Sequence, residues 1–322
     1  MLRLLRLVLV LVALALAAKA LGGQWGKVRG HLGDLSVGWT AVAVLTAFAG
    51  QAAIAVIWRE VLTDLGSRLP LLIGCRIFLL AQLGKYIPGS VFAVAGQVEL
   101  ATRYDVPRQR SATASVVTIV LNIGVGGVVA LCALPLLPDR LASPFRPALL
   151  LLPLVGLLHP KLFTAVLNRA LRLIRRPALD QALSARGLAR ASAWCIVSWL
   201  LLGLHIYALC RDVGADAPVL GLSVAGFAAA WLVGFVVVIA PAGFGPREAV
   251  LVAVLSSSLV GGTSAALLVA GVSRLVLVLI DVLLAGLALW VGSSPARYRA
   301  RPERLAFVGT SPAPPGNPRG GA

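Results

Sequence analysis

The sequence predicts an all-α, polytopic membrane helical bundle with two Pro/Gly-broken or re-entrant segments. Of its 322 residues, 59% are hydrophobic and only 13% are charged, whereas a soluble domain carries about a quarter charged residues. Mean hydropathy is +0.93, and several apolar runs approach or exceed the ~20 residues that cross a bilayer as a helix. The short alternating segments of an outer-membrane barrel are not visible.

Residues 4–21 open behind Arg3 and Arg6 and end at Ala18-Lys19-Ala20. A retained first helix is the expectation in a polytopic chain. The charged start, apolar middle and A-x-A site also fit a cleaved signal peptide, so the fate of residues 1–20 stays open. Residues 35–57 form a second span. Residues 70–100 enclose GKYIPGSVFAVAGQ (84–97) and lead into a loop with Arg103, Arg108 and Arg110. Residues 112–137 span again, and 147–158 make a short apolar segment.

Residues 159–190 are rich in arginine. Within them LFTAVLNRALRLIRR puts Leu162, Val166, Leu167, Leu171 and Ile174 close to helical spacing. That pattern suits an amphipathic helix on an anionic leaflet and equally a solvated connector. Residues 191–210 span, PAGFG separates the apolar runs 219–240 and 246–262, and 264–291 is the last span. The chain thus divides into a transmembrane domain, 1–292, and a disordered basic cytoplasmic tail, 293–322, ending SPAPPGNPRGGA.

The net charge of +17 does not point to nucleic acid, because the basic residues cluster between apolar runs. The positive-inside rule places them there. Alternating the loops from inside leaves only Lys27, Arg29, Arg140, Arg146 and Arg211 in outer loops. Both termini are then cytoplasmic, in a multi-pass protein of the cytoplasmic membrane. Cys75, Cys132, Cys195 and Cys210 have neither metal nor disulfide spacing and read as small buried hydrophobes. His31, His159 and His205 lie too far apart for a metal or acid–base cluster. GLSVAG (221–226) lacks the glycine directly after x-Ser of a serine-hydrolase loop and reads as helix packing. No cofactor, metal or enzymatic activity is expected.

The two breaks carry the functional signal. About 14 apolar residues precede Lys85 and about 12 follow Gly89, each run too short to cross comfortably. Pro88 cannot donate a backbone hydrogen bond and disfavours helix in the residue before it. Two half-helices meeting at a bend result, and in lipid such freed backbone survives only under protein or a watery cavity. IAPAGFGPREAV (239–250) repeats the pattern with Pro241, Gly243 and Gly245. Paired interruptions in corresponding halves point to a transport site near the midplane. If both are hairpins they enter from opposite faces, as an inverted repeat requires, although 219–240 is long enough to cross fully.

Charge at the centre of a membrane helix costs roughly 2.5–3.5 kcal/mol on insertion scales. Arg76, Lys85, Glu99, Arg247, Glu248, Arg274 and Asp281 nevertheless lie within or beside apolar segments. Lys85 and Arg247, at the breaks, form a candidate phosphate site in which Lys is a mobile point charge and Arg a bidentate fork. Glu99, Glu248 and Asp281 are candidates to neutralise them in the absence of substrate. Arg76 and Glu99 fit snorkelling to the interface equally well. Arg274 and Asp281 are two turns apart and are expected to pair with other helices rather than together. Tyr86 and Phe92 read as interface anchors or packing residues. Gln51, Gln97 and Asn122 read as interhelical hydrogen-bonders.

The stretches GKYIPGSVFAVAGQVELATRYDVPRQRS (84–111) and PAGFGPREAVLVAVL (241–255), with HPKLF between them, resemble the lysylphosphatidylglycerol synthase/flippase transmembrane family up to about residue 292. Lys85, Pro88, Gly89, Gly243, Gly245, Arg247 and Glu248 match its motif positions. Phe92 stands where a tryptophan is common, and Pro246 where a small aliphatic residue is usual. The resemblance implies a bundle with broken helices that moves an anionic phospholipid or lipid-linked headgroup between leaflets. Well-known members fuse this domain to a soluble aminoacyl-transferase. With only a short tail after residue 292, that synthetic activity is not expected to carry over. Two other readings remain open: a membrane partner or scaffold for a cell-envelope glycosyltransferase, and an intramembrane lipid-phosphate transferase. Homo-oligomerisation is also left open.

Overall fold

The structure is a computed structural model and describes residues 36–87, 91–132, 183–215, 219–236 and 245–290, with isolated positions between 135 and 172. The expectations for residues 1–20, 147–158, most of the amphipathic stretch and the 293–322 tail lie outside the described residues. So do Pro88, Gly89, Pro241 and Gly243.

All regular structure among the described residues is helical. It comprises α1 (Val37–Asp64), α2 (Leu71–Gln82), a 3-10 turn (Leu83–Tyr86), α3 (Val91–Thr102), α4 (Arg108–Cys132), α5 (Ala185–Asp212), α6 (Val219–Val236), α7 (Pro246–Leu255) and α8 (Gly262–Trp290). Helices α1, α4, α5, α6 and α8 are long and apolar enough to cross a membrane. The chain is a multi-pass membrane protein. Two helices overrun their expected bounds for local reasons. α1 runs past residue 57 to Asp64, with Arg59 Nε folded back onto Leu69 O at 2.9 Å, and Gly66, at φ +86°, turns the chain just beyond its C-cap. α5 starts early because the Ser184 hydroxyl caps it, accepting from Gly187 N at 2.9 Å.

α1 and α5 pair antiparallel along their whole length. Asp212 accepts from Ser36 N (2.6 Å) and Thr40 Oγ1 (2.9 Å) at one end. His205 Nδ1–H then donates to Ala43 O (2.9 Å), and Ser198 Oγ donates to Gly50 O (3.0 Å) at the centre. At the other end Ser184 N donates to Asp64 Oδ2 (2.7 Å). Membrane helices lack a hydrophobic drive toward one another and associate through such bonds and through small residues that permit close approach. A Cβ on Gly50 would meet Leu202, and one on Gly126 would lie 2.5 Å from the Trp199 ring. GLSVAG packs in this manner: Ser223 is fully buried, and Gly226 faces Val254 and Leu251. Cys195 and Cys210 are buried as expected, but Cys75 is only partly buried and Cys132 is exposed, because it ends α4 beyond the packed part of the bundle.

The end of the bundle formed by the α1 C-terminus, the α2, α4 and α5 N-termini and the α3 C-terminus carries Arg59, Arg68, Arg103, Arg108, Arg110, Arg186 and Arg190. Arg211 stands at the opposite end. Two pairs of helices approach the middle from these two ends. α2 and α3, each 12 residues and ~18 Å long, pack antiparallel, with Gly96 against Ala81 and Gly84 against Ala93. They start and finish at the arginine-rich end. α6 and α7 pack antiparallel from the opposite end. Trp231 of α6 meets Trp199 at the middle of α5, with centroids 5.5 Å apart. α6 is described to Val236, ~7 Å further on, so it is followed to about the centre of the bundle.

Candidate functional site

The 3-10 turn after α2, the end of α6 and the start of α7 open onto one cavity of about 210 Å³. Its depth follows from the helices around it. Gln51, Asn122 and Ser198 line it, and each lies near the middle of its long helix: α1, α4 and α5 respectively. The cavity therefore sits midway along the bundle.

The 3-10 turn after α2 presents Lys85 and Tyr86 to this space. Lys85 Nζ lies 2.7 Å from Asp281 Oδ2 of α8. Tyr86 donates its hydroxyl to the same oxygen at 2.6 Å, and Gln51 Nε2 donates to Oδ1 at 2.8 Å. Asp281 is thus a buried carboxylate held by three donors, two from the turn and one from α1. Its side chain is 5% exposed, whereas that of Lys85 keeps 28% and stays reachable from the cavity.

The start of α7 is built around Glu248. Gly245, at φ +93°, turns the chain into α7, and Pro246 occupies its first turn as its fixed φ allows. Glu248 Oε2 accepts from Gly245 N at 2.6 Å and ties off the helix start. Its Oε1 lies 3.3 Å from Arg274 Nε of α8. The Arg247 guanidinium stands 4.5 Å from the centroid of Phe227, a cation–π contact. Among the described residues no carboxylate pairs with Arg247.

Lys85, Arg247, Arg274 and Asp281 line the cavity together, with Glu248 behind Arg274. Arg274 and Asp281 pair with other elements, as their spacing suggests. The structure does not bring Arg76 and Glu99 into this group. Arg76 Nε donates to Ala288 O (2.8 Å) and Nη1 to Tyr104 Oη (2.9 Å), fastening α2 to the end of α8. Glu99 lies 3.5 Å from Arg108 at the exposed arginine-rich end. Both charges lie toward the end of the bundle, where snorkelling puts them.

Sequence reasoning missed Tyr86, which is 3% exposed and serves as a donor to Asp281 rather than as an interface anchor. It also missed an aromatic wall. Phe227, Trp231 and Phe235 line the cavity with Trp199. Trp231 and Phe235 stack at 5.2 Å, and Trp199 meets Phe227 edge-on at 6.2 Å. The signal was available: Phe227, Trp231 and Phe235 recur every four residues, which puts them on one helix face.

These features define a polytopic membrane protein with a charged, aromatic-walled cavity at mid-depth between two helical hairpins. The chain belongs to the family described as the lysylphosphatidylglycerol synthase TM region, whose model matches residues 3–292. No curated protein matches the sequence.

Proposed function

We propose that this protein is a flippase that moves an anionic phospholipid or lipid-linked headgroup between leaflets, performing no covalent chemistry itself. The observation that carries the reading is Arg247, a cation at mid-depth with no carboxylate partner among the described residues. A half-buried charge without a counter-ion at this depth is costly, and an anionic headgroup entering the cavity compensates it. Lys85 exchanges Asp281 for the same anion. Glu248 holds Arg274 and the α7 start in place.

In this reading the arginine-rich end is cytoplasmic in the cell membrane, with both termini on that side. The α2–α3 hairpin is re-entrant from the cytoplasm and α6–α7 from outside. Each leaflet then reaches the same site through a different hairpin, as alternating access around a fixed midplane site requires. The lipids are the protein's partners.

Arg247→Ala is expected to abolish headgroup translocation in vesicles of defined composition, read by leaflet-selective chemical labelling of the lipid, while insertion and folding persist. Wild-type translocation by that variant would remove Arg247 from the mechanism.

A further inference from the structure

When Lys85 leaves Asp281 for an arriving anion, the carboxylate left behind has to be satisfied in another way. Its side chain is 5% exposed, so solvent offers it little. Its two other donors, Tyr86 Oη and Gln51 Nε2, are neutral. The other charged and titratable groups around it are engaged. Arg247 of α7 faces the same anion, and Arg274 of α8 holds Glu248 of α7 at 3.3 Å. Arg76 of α2 is turned to Ala288 O and Tyr104 Oη, and His205 of α5 lies between Ala43 O and Ser273 Oγ. From Val37 to Trp58, α1 carries no titratable side chain. An ionised carboxylate without a cation in such surroundings neutralises by binding a proton.

The geometry suits both charge states of Asp281. Gln51 Nε2–H donates to Oδ1 at 2.8 Å, which keeps that oxygen an acceptor. Lys85 and Tyr86 both meet Oδ2, at 2.7 and 2.6 Å, so the oxygen that the ammonium vacates is the one left to take a proton. The Tyr86 hydroxyl donates to the carboxylate and, on rotating its O–H bond, accepts from the acid. Tyr86 is 3% exposed and packs with Val278 and Ala285, which flank Asp281 on α8. That packing keeps its oxygen in place in both states.

Resting on the headgroup reading above, we infer that Asp281 is a proton-binding site, and that an anionic headgroup without an amine crosses together with one proton carried on Oδ2. Lys85 keeps its own proton and pairs with the phosphate, while a proton from solution forms the Oδ2–H bond. A headgroup that brings its own ammonium supplies this positive charge itself. Movement of an amine-free lipid is then coupled to the proton gradient across the membrane.

The test is binding of glycerophosphoglycerol to the full chain in weakly buffered detergent, with a pH-indicator dye recording protons. This probe has no amine, and its phosphodiester does not titrate near neutral pH. The wild type is expected to take up about one proton per probe bound, and its Kd should rise by about tenfold for each unit of increasing pH. Asp281→Asn already carries a neutral group there and should bind without proton uptake, at an affinity independent of pH. If that variant does not fold, Lys85→Met/Asp281→Asn, which leaves no uncompensated charge, should bind more weakly through Arg247 and again without uptake. Binding by the wild type with neither uptake nor pH dependence overturns the inference and leaves the headgroup reading in place. Uptake that persists without the Asp281 carboxyl overturns the assignment. No binding at any pH removes the headgroup reading and the inference with it. In vesicles, an imposed pH gradient should drive phosphatidylglycerol toward the alkaline leaflet. Lipid movement indifferent to the gradient overturns the coupling. Proton uptake on binding, with no lipid movement, keeps the proton site and removes the flippase reading.

Discussion

Lys85 and Asp281 meet at 2.7 Å in the middle of the bundle, one from the turn between two short helices and the other from the last long helix. Neither residue has a reason to be in an apolar segment without the other. A carboxylate buried at this depth needs donors, and a lysine at a helix break needs a counter-ion. The pair also closes the fold, since with Tyr86 it fastens the tip of the first hairpin to α8.

Breaking this pair from one side should therefore destabilise the chain. Asp281→Asn leaves the Lys85 ammonium without its carboxylate, a change that costs about 3–5 kcal/mol for buried pairs. The double variant Lys85→Met/Asp281→Asn should recover most of the loss, because no uncompensated charge remains. Thermal unfolding of the three proteins in one detergent gives the comparison. A double variant as unstable as Asp281→Asn would show that the charge itself is not the cause.

Much of this arrangement was legible in the sequence because the bilayer is an unforgiving solvent. Proline, glycine and lysine interrupting an apolar run at 84–89 leave room only for half-helices. α2 and α3, at 12 residues each, follow. Lys85, Arg247, Arg274 and Asp281 were recognisable because charge at such positions is expensive. Their partners were not. A tyrosine in an apolar run looks the same whether its hydroxyl meets water or Asp281, and Gln51 looks the same whether it binds a neighbouring helix or orients a site carboxylate. Arg76 and Lys85 carry the same charge nine residues apart in sequence, yet only Lys85 reaches the cavity. Arg76 instead turns toward Ala288 and Tyr104, a choice made by α8, which is distant in sequence.

The close approach of α2 to α3 makes a sharp backbone prediction. A Cβ on Gly84 would lie 2.7 Å from Ala93 N and from Phe92 C, both backbone atoms that cannot rotate away. Gly84→Ala should splay the hairpin and cost about 1–3 kcal/mol. A Cβ on Gly127, in the interior of α4, meets nothing within 4 Å. Gly127→Ala should therefore be neutral or stabilising by about 0.5–1 kcal/mol through helix propensity. Opposite shifts in unfolding temperature are the expected outcome.

Orientation is open to a direct check. Gln109 is exposed at the arginine-rich end, and Ser258 is exposed at the other. In a Cys132→Ser background, which removes the exposed native thiol, Ser258→Cys should react with a membrane-impermeant maleimide in intact cells. Gln109→Cys should react only after permeabilisation. The reverse pattern would invert the topology and exchange the leaflets that the two hairpins serve.

Arg247 and Arg274 provide the strongest contrast, because they line the same cavity and carry the same charge. Arg274, with a side chain 6% exposed, faces Glu248 at 3.3 Å, and that carboxylate also ties off the start of α7. Arg274→Ala leaves the partly buried Glu248 without its cation, at a cost approaching the ~3–5 kcal/mol of a broken buried pair. Arg247 contributes a cation–π contact to Phe227, worth about 0.5–2 kcal/mol, and its removal orphans no carboxylate among the described residues. Arg247→Ala should therefore unfold near the wild-type temperature while losing headgroup binding, and Arg274→Ala should lose stability first. Phe227→Leu separates the two roles of Arg247: it removes the ring that positions the guanidinium but keeps the charge. Binding of an anionic headgroup should weaken without vanishing. If Arg247→Ala were instead as unstable as Arg274→Ala, Arg247 would be a structural cation, and the anion it compensates would be the protein's own.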